Sequence, residues 1–128
     1  MKFPTTLLWV SSVLFIVFGA CFIAAPEFFA TVITGAAPGT PSAFTDMRAT
    51  YGGMGLGIGL LFGFSARQSS TVKIGLIAAL LVLGSTAAAR LVGILADGSP
   101  NVFMFLLLGA ELLFVALLVV ALKQFRNG

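Results

Sequence analysis

Residues 46–63 read DMRATYGGMGLGIGLLFG, an acid, an arginine and a tyrosine directly ahead of a run in which every second or third residue is glycine. In a soluble helix each interior glycine costs about 1 kcal/mol relative to alanine, so six of them would argue for a loop. In a membrane helix glycines are frequent and let neighbouring backbones approach closely. Composition decides between the two rules. Of 128 residues, 59% are hydrophobic and 9% charged, and the mean hydropathy of +1.14 lies far outside the balance of a soluble globular domain. The glycine run is therefore read as a membrane helix.

Working outward, four apolar segments fall at about 5–25, 43–66, 72–95 and 102–122, each near the roughly 20 residues a helix needs to cross about 30 Å of hydrocarbon. The runs are continuous and lack the period of two that a β-barrel requires. The expected fold is all-α, an integral membrane four-helix bundle forming one domain over residues 1–128. Turn chemistry separates the segments: Pro26, GAAPGTPS (35–42), RQSST (67–71) and DGSPN (97–101). Between Pro26 and Gly35 the stretch EFFATVIT suits a short interfacial helix as well as an ordinary loop. The first segment is as long as a spanning helix, which favours a span over a cleaved leader. FGAC (18–21) has phenylalanine where a lipoprotein box has leucine, so Cys21 is read as a packing residue, and a lone cysteine has no internal disulfide partner.

Basic residues Lys2, Arg67, Lys73, Lys123 and Arg126 gather on one side of this topology, and Glu27, Asp46 and Asp97 on the other. The excess of positive charge on cytoplasmic loops places both termini in the cytoplasm, with a bacterial inner membrane as the expected location. Topology accounts for the formal charge of +3, so the basic pI calls for no nucleic-acid partner.

Three charges are left over: Arg48, Arg90 and Glu111. Arg90 and Glu111 lie about 10 and 13 Å in from the same side, counted at 1.5 Å per residue. An ionised group at such depth costs at least about 2.5 to 3.5 kcal/mol, so each should face the bundle interior and find a partner; Arg90 with Glu111 is the expected pair. With Ser42 as N-cap, Arg48 stands about 9 Å inside the second helix, and Gly52, Gly55, Gly59 and Gly63 follow on its face. Gly53/Gly57, Gly55/Gly59 and Gly59/Gly63 have the small-xxx-small spacing of membrane helix contacts. GSTAAAR (84–90) on the third helix offers the matching surface.

RATYGGMGLGIGL after an acid, AARLVGILADG, and a lone glutamate in LLGAELLFVAL together resemble the small four-helix membrane proteins of the domain of unknown function 4345 family. The resemblance runs over nearly the whole chain. It implies Arg48, Tyr51, Gly52, Gly53, Arg90 and Glu111 as recurring positions and implies no activity. A remoter similarity in shape to DoxX-like four-helix proteins bears on architecture alone.

Two arginines and a tyrosine facing one glutamate leave one positive charge unbalanced. The candidate site is thus Arg48, Tyr51, Arg90 and Glu111 on the outer side, supported by Asp46 and Asp97, taking an anionic lipid or a small organic anion. Its apolar part would lie along the glycine groove and Phe103, Phe105 and Phe114. The competing reading is that these charges satisfy one another and fix helix register, the chain being a structural or accessory subunit or a homo-oligomer, with Gly53 and Gly57 turned to a partner. Chemistry is sparsely equipped. With no histidine, one cysteine and four acids, neither a metal site nor a Ser-His pair is expected, and no cofactor. GGMGLGIG lacks the preceding strand of a dinucleotide fingerprint. A small multidrug transporter would need its acid on the first helix, which has none within its span, and the arginines would repel a cation. Proton-coupled transport of an anion, with Glu111 as relay, stays open. Trp9 suits an interfacial anchor, Phe15, Phe18 and Phe22 face lipid or pack, and Met47, Met54 and Met104 fill gaps.

Overall fold

The computed structural model describes residues 2–127, and all the secondary structure among them is helical. Helix α1 spans Lys2–Ala24, the short α2 Pro26–Thr34, α3 the continuous stretch Pro41–Ala66, α4 Ser69–Ala96 and α5 Val102–Asn127. The four long helices are each long and apolar enough to cross a membrane. The stretch after the first span is a helix, not a loop. Pro26 removes the amide that would continue α1, then serves as the first residue of α2, where a missing N–H costs nothing. Gly35, at φ 85°, closes α2 in the left-handed conformation, its amide donating to Thr31 O.

Two boundaries differ from expectation. Helix α3 begins at Pro41, and its cap is Thr40, whose hydroxyl accepts from the Ala43 amide; Ser42 lies inside the first turn. Within α3, Arg48–Met54 (RATYGGM) forms wider π-helical turns, a form uncommon in helices and associated with functional segments. The glycine run downstream returns to α-helix at Gly55.

The glycine face of α3 packs against α1, which corrects the expectation of a seam with the third long helix. A Cβ on Gly59 would lie 2.7 Å from Ile16 N and 2.9 Å from Ser12 O, and one on Gly52 would meet Ile23. The face is reciprocated by Gly19 of α1, whose added Cβ would stand 2.6 Å from Gly52 O. Backbones this close leave no room for any side chain, and the Ser12 hydroxyl uses the proximity to donate to Gly59 O at 2.7 Å. Gly84, by contrast, has open space where a Cβ would stand.

Burial is uneven along the bundle axis. Leu7 and Leu8 at the start of α1, Phe62 and Ala66 at the end of α3, Val72, Leu76 and Ala79 early in α4, and Leu118 and Ala121 late in α5 form one core. All of these lie toward the end of the bundle that carries both termini, where Gly75 of α4 sits against Ser65 and Leu8. Toward the opposite end the interior is shared between an ion pair and an open groove.

Candidate functional site

Arg90 stands on α4 and Glu111 on α5, one helical turn or more inside each helix, and the α4–α5 hairpin turns them toward each other. Arg90 Nε donates to Glu111 Oε1 and Oε2 at 3.0 and 3.1 Å, and Nη2 donates to Oε1 at 2.7 Å. The two side chains are 21% and 10% exposed, so this charge-assisted fork is largely desolvated. It is the one ion pair among the described residues. Nη1 has a poorer partner, the Met104 sulfur at 3.5 Å, a weak acceptor. Met104 is therefore more than a gap-filler, since it occupies a donor of the guanidinium.

Two concavities meet at Arg90, and Glu111 lines neither. A groove of about 660 Å³ is lined by Phe15, Phe18 and Phe22 of α1, Tyr51 and Met54 of α3, and Thr86, Ala89 and Arg90 of α4 among others. Its rear is α1, with Phe22 fully buried and Phe15 half-buried, whereas Tyr51, Met54, Thr86 and Ala89 are exposed, so it opens sideways between α3 and α4. A second cup of about 540 Å³ lies under the α4–α5 turn, walled by Gly93, Asp97, Gly98 and Pro100. Thr34, Arg90 and Met104 line both, and so form the neck between cup and groove. Asn101 keeps α2 at that neck by donating from Nδ2 to Ile33 O at 3.0 Å.

The structure divides the expected site residues. Arg90 and Glu111 are paired and Tyr51 shares the groove with Arg90, its ring edge-on to Phe22 with centroids 5.3 Å apart. Arg48 is elsewhere: its Nη1 donates to Ile23 O at the end of α1. The reason is local to α1. A helix leaves its last four carbonyls without intrahelical donors, Ile23 O is one of these in α1, and an arginine from the adjacent helix supplies its donor. The expected pairing of two arginines over one glutamate therefore does not form, and the charge at Arg90 is balanced by Glu111 alone. Asp46 is exposed, Asp97 caps α4 through its amide to Gly93 O, and neither carboxylate forms an ion pair among the described residues.

Two further corrections concern the lining. The groove's phenylalanines come from α1; Phe103, Phe105 and Phe114 of α5 are not among its walls, and Phe114 packs on the core instead. The seam glycines Gly52, Gly59 and Gly63 are covered by α1, and of the glycine face only Gly55 reaches the groove. Thr34 and Asn101, which no sequence motif marks, turn out to shape the neck. Among the described residues no group of three or more Cys, Asp or Glu side chains is placed to hold a metal ion.

No curated protein and no solved structure matches this chain. Residues 4–122, nearly the whole length, match the family model described as Domain of unknown function (DUF4345), and the chain belongs to that family.

Proposed function

We propose that this chain is an integral membrane protein, its termini cytoplasmic, that binds an amphiphile near the outer side: an acceptor-rich headgroup in the cup and an apolar tail in the groove between α3 and α4. The observation that carries this reading is the position of Arg90, which lines both concavities at their junction. An anionic lipid or a small organic anion with an apolar part has the required shape. Phosphate or carboxylate oxygens are far better acceptors than the Met104 thioether that Nη1 now faces, so a headgroup displaces a weak hydrogen bond with a charge-assisted one. Glu111 keeps the guanidinium plane fixed during that exchange. Phe15, Phe22 and Met54 supply an apolar wall for the tail.

Native mass spectrometry of the gently purified protein tests the reading, beside an Ala89→Trp variant. Ala89 is exposed on the groove's rim and takes no part in the ion pair, so the indole obstructs the groove and leaves the fork intact. The expected result is a co-purifying lipid or organic acid on the wild type that the variant has lost. A wild type free of ligand, or a variant that retains it, refutes the reading.

A second reading is favoured by the completeness of the Arg90–Glu111 fork. In it the pair only fixes helix register, and the chain serves as a subunit of a membrane complex or homo-oligomer. Gly57, exposed on α3 with open space around it, then faces the partner. This reading expects no ligand and a change of stoichiometry in a Gly57→Leu variant.

A further inference from the structure

The elbow between α1 and α2 carries another concavity, of about 650 Å³, lined by Pro26, Glu27, Phe28, Val32, Phe44 and Arg48. None of these residues lines the cup or the groove at Arg90. Arg48 is held there by its bond to Ile23 O, which occupies Nη1 and leaves the rest of a five-donor guanidinium available. Glu27 stands in the first turn of α2, exposed, with no hydrogen bond or ion pair from its carboxylate among the described residues. Opposite charges thus share one concavity without forming an ion pair with each other.

We propose that this elbow binds the headgroup of a zwitterionic phospholipid bearing a primary ammonium, phosphate against Arg48 and ammonium against Glu27. One cation and one anion on a common wall complement a headgroup with one of each, and a primary ammonium brings N–H donors that a carboxylate accepts. A lipid fits better than a free zwitterion because apolar groups share the wall: Phe28 is 62% exposed and Val32 43%, on the side of α2 that also carries Glu27. They give the glycerol and upper acyl chains an apolar bed, as on an interfacial helix.

The test uses the full chain in nanodiscs of equal phosphatidylethanolamine and phosphatidylglycerol, with the lipids retained after gentle release counted by native mass spectrometry. The variants are on Glu27, because Arg48 also caps α1 and its loss would disturb the fold. Wild type should retain the ethanolamine lipid in up to about fivefold excess, the upper worth of one exposed ion pair. Glu27→Gln should bring the ratio near parity, and Glu27→Lys should invert it toward the anionic lipid. Ala89→Trp, which blocks the separate groove, should leave the preference intact. Equal retention by the wild type, or a preference that Glu27→Gln does not alter, overturns the proposal. Free phosphoethanolamine that competes as effectively as the lipid overturns its assignment to a membrane source.

Discussion

Arg90 and Glu111 illustrate how a buried charge dictates its own surroundings. Each is costly alone at its depth, and together they form a fork with three hydrogen bonds. Breaking one side should therefore hurt more than removing both. Arg90→Leu or Glu111→Leu alone is expected to cost about 3 to 5 kcal/mol of folding stability, whereas the double variant recovers most of that loss. Detergent-denaturation midpoints of the four proteins would check it, and single losses that simply add in the double variant would mean that the fork contributes little. The pairing was legible from sequence because two charges at matching depth on adjacent helices have few other solutions. Arg48 was not, since its partner is a backbone carbonyl. The signal was Pro26, which ends α1 and leaves carbonyls that need a donor.

At the scale of elements, α3 shows what its glycines are for. Gly52, Gly59 and Gly63 let the helix lie on α1 at backbone contact, with Gly19 and Ser12 as the counterpart. Gly57, on the same helix, faces open space. The two kinds of glycine should respond oppositely to a single methyl group. Gly59→Ala drives a Cβ into the backbone of α1 and should cost about 1 to 3 kcal/mol, while Gly57→Ala should be neutral or gain up to about 1 kcal/mol from improved helix propensity. Thermal unfolding in detergent, followed by circular dichroism, separates them; equal effects would contradict the seam. The four long helices and the small-residue face were readable from hydropathy and spacing. The partner of that face was not, because spacing marks which side of a helix is small without saying which neighbour takes it. Nor did the pattern reveal the π-helical turns at Arg48–Met54, since nothing in residue type distinguishes a wider turn from a flexible one.

For the whole molecule, the arrangement of core and groove sets a polarity along the bundle axis. The main buried core lies toward the termini, and the cup, the groove and the elbow concavity lie at the other end with α2, Tyr51 and the Arg90–Glu111 fork. The basic residues Arg67, Lys73, Lys123 and Arg126 lie at the core end, so the cavity end is expected to face away from the cytoplasm. In a Cys21→Ser background, Ser99→Cys in the α4–α5 turn should react with an impermeant maleimide on intact cells, and Ser70→Cys at the α3–α4 turn only after permeabilisation. The reverse pattern would place the groove on the cytoplasmic side and redirect the search for its ligand. The fork has an electrical consequence in either orientation. A guanidinium and a carboxylate held together carry no net charge through the field of an energised membrane, so the potential does no net work on them as α4 and α5 move as a unit. Neutralising Glu111 alone would expose Arg90 to that field, where a full elementary charge is worth about 2.3 kcal/mol for each 100 mV crossed. In a membrane, pairing the two would keep the junction of cup and groove indifferent to voltage, whichever side it faces.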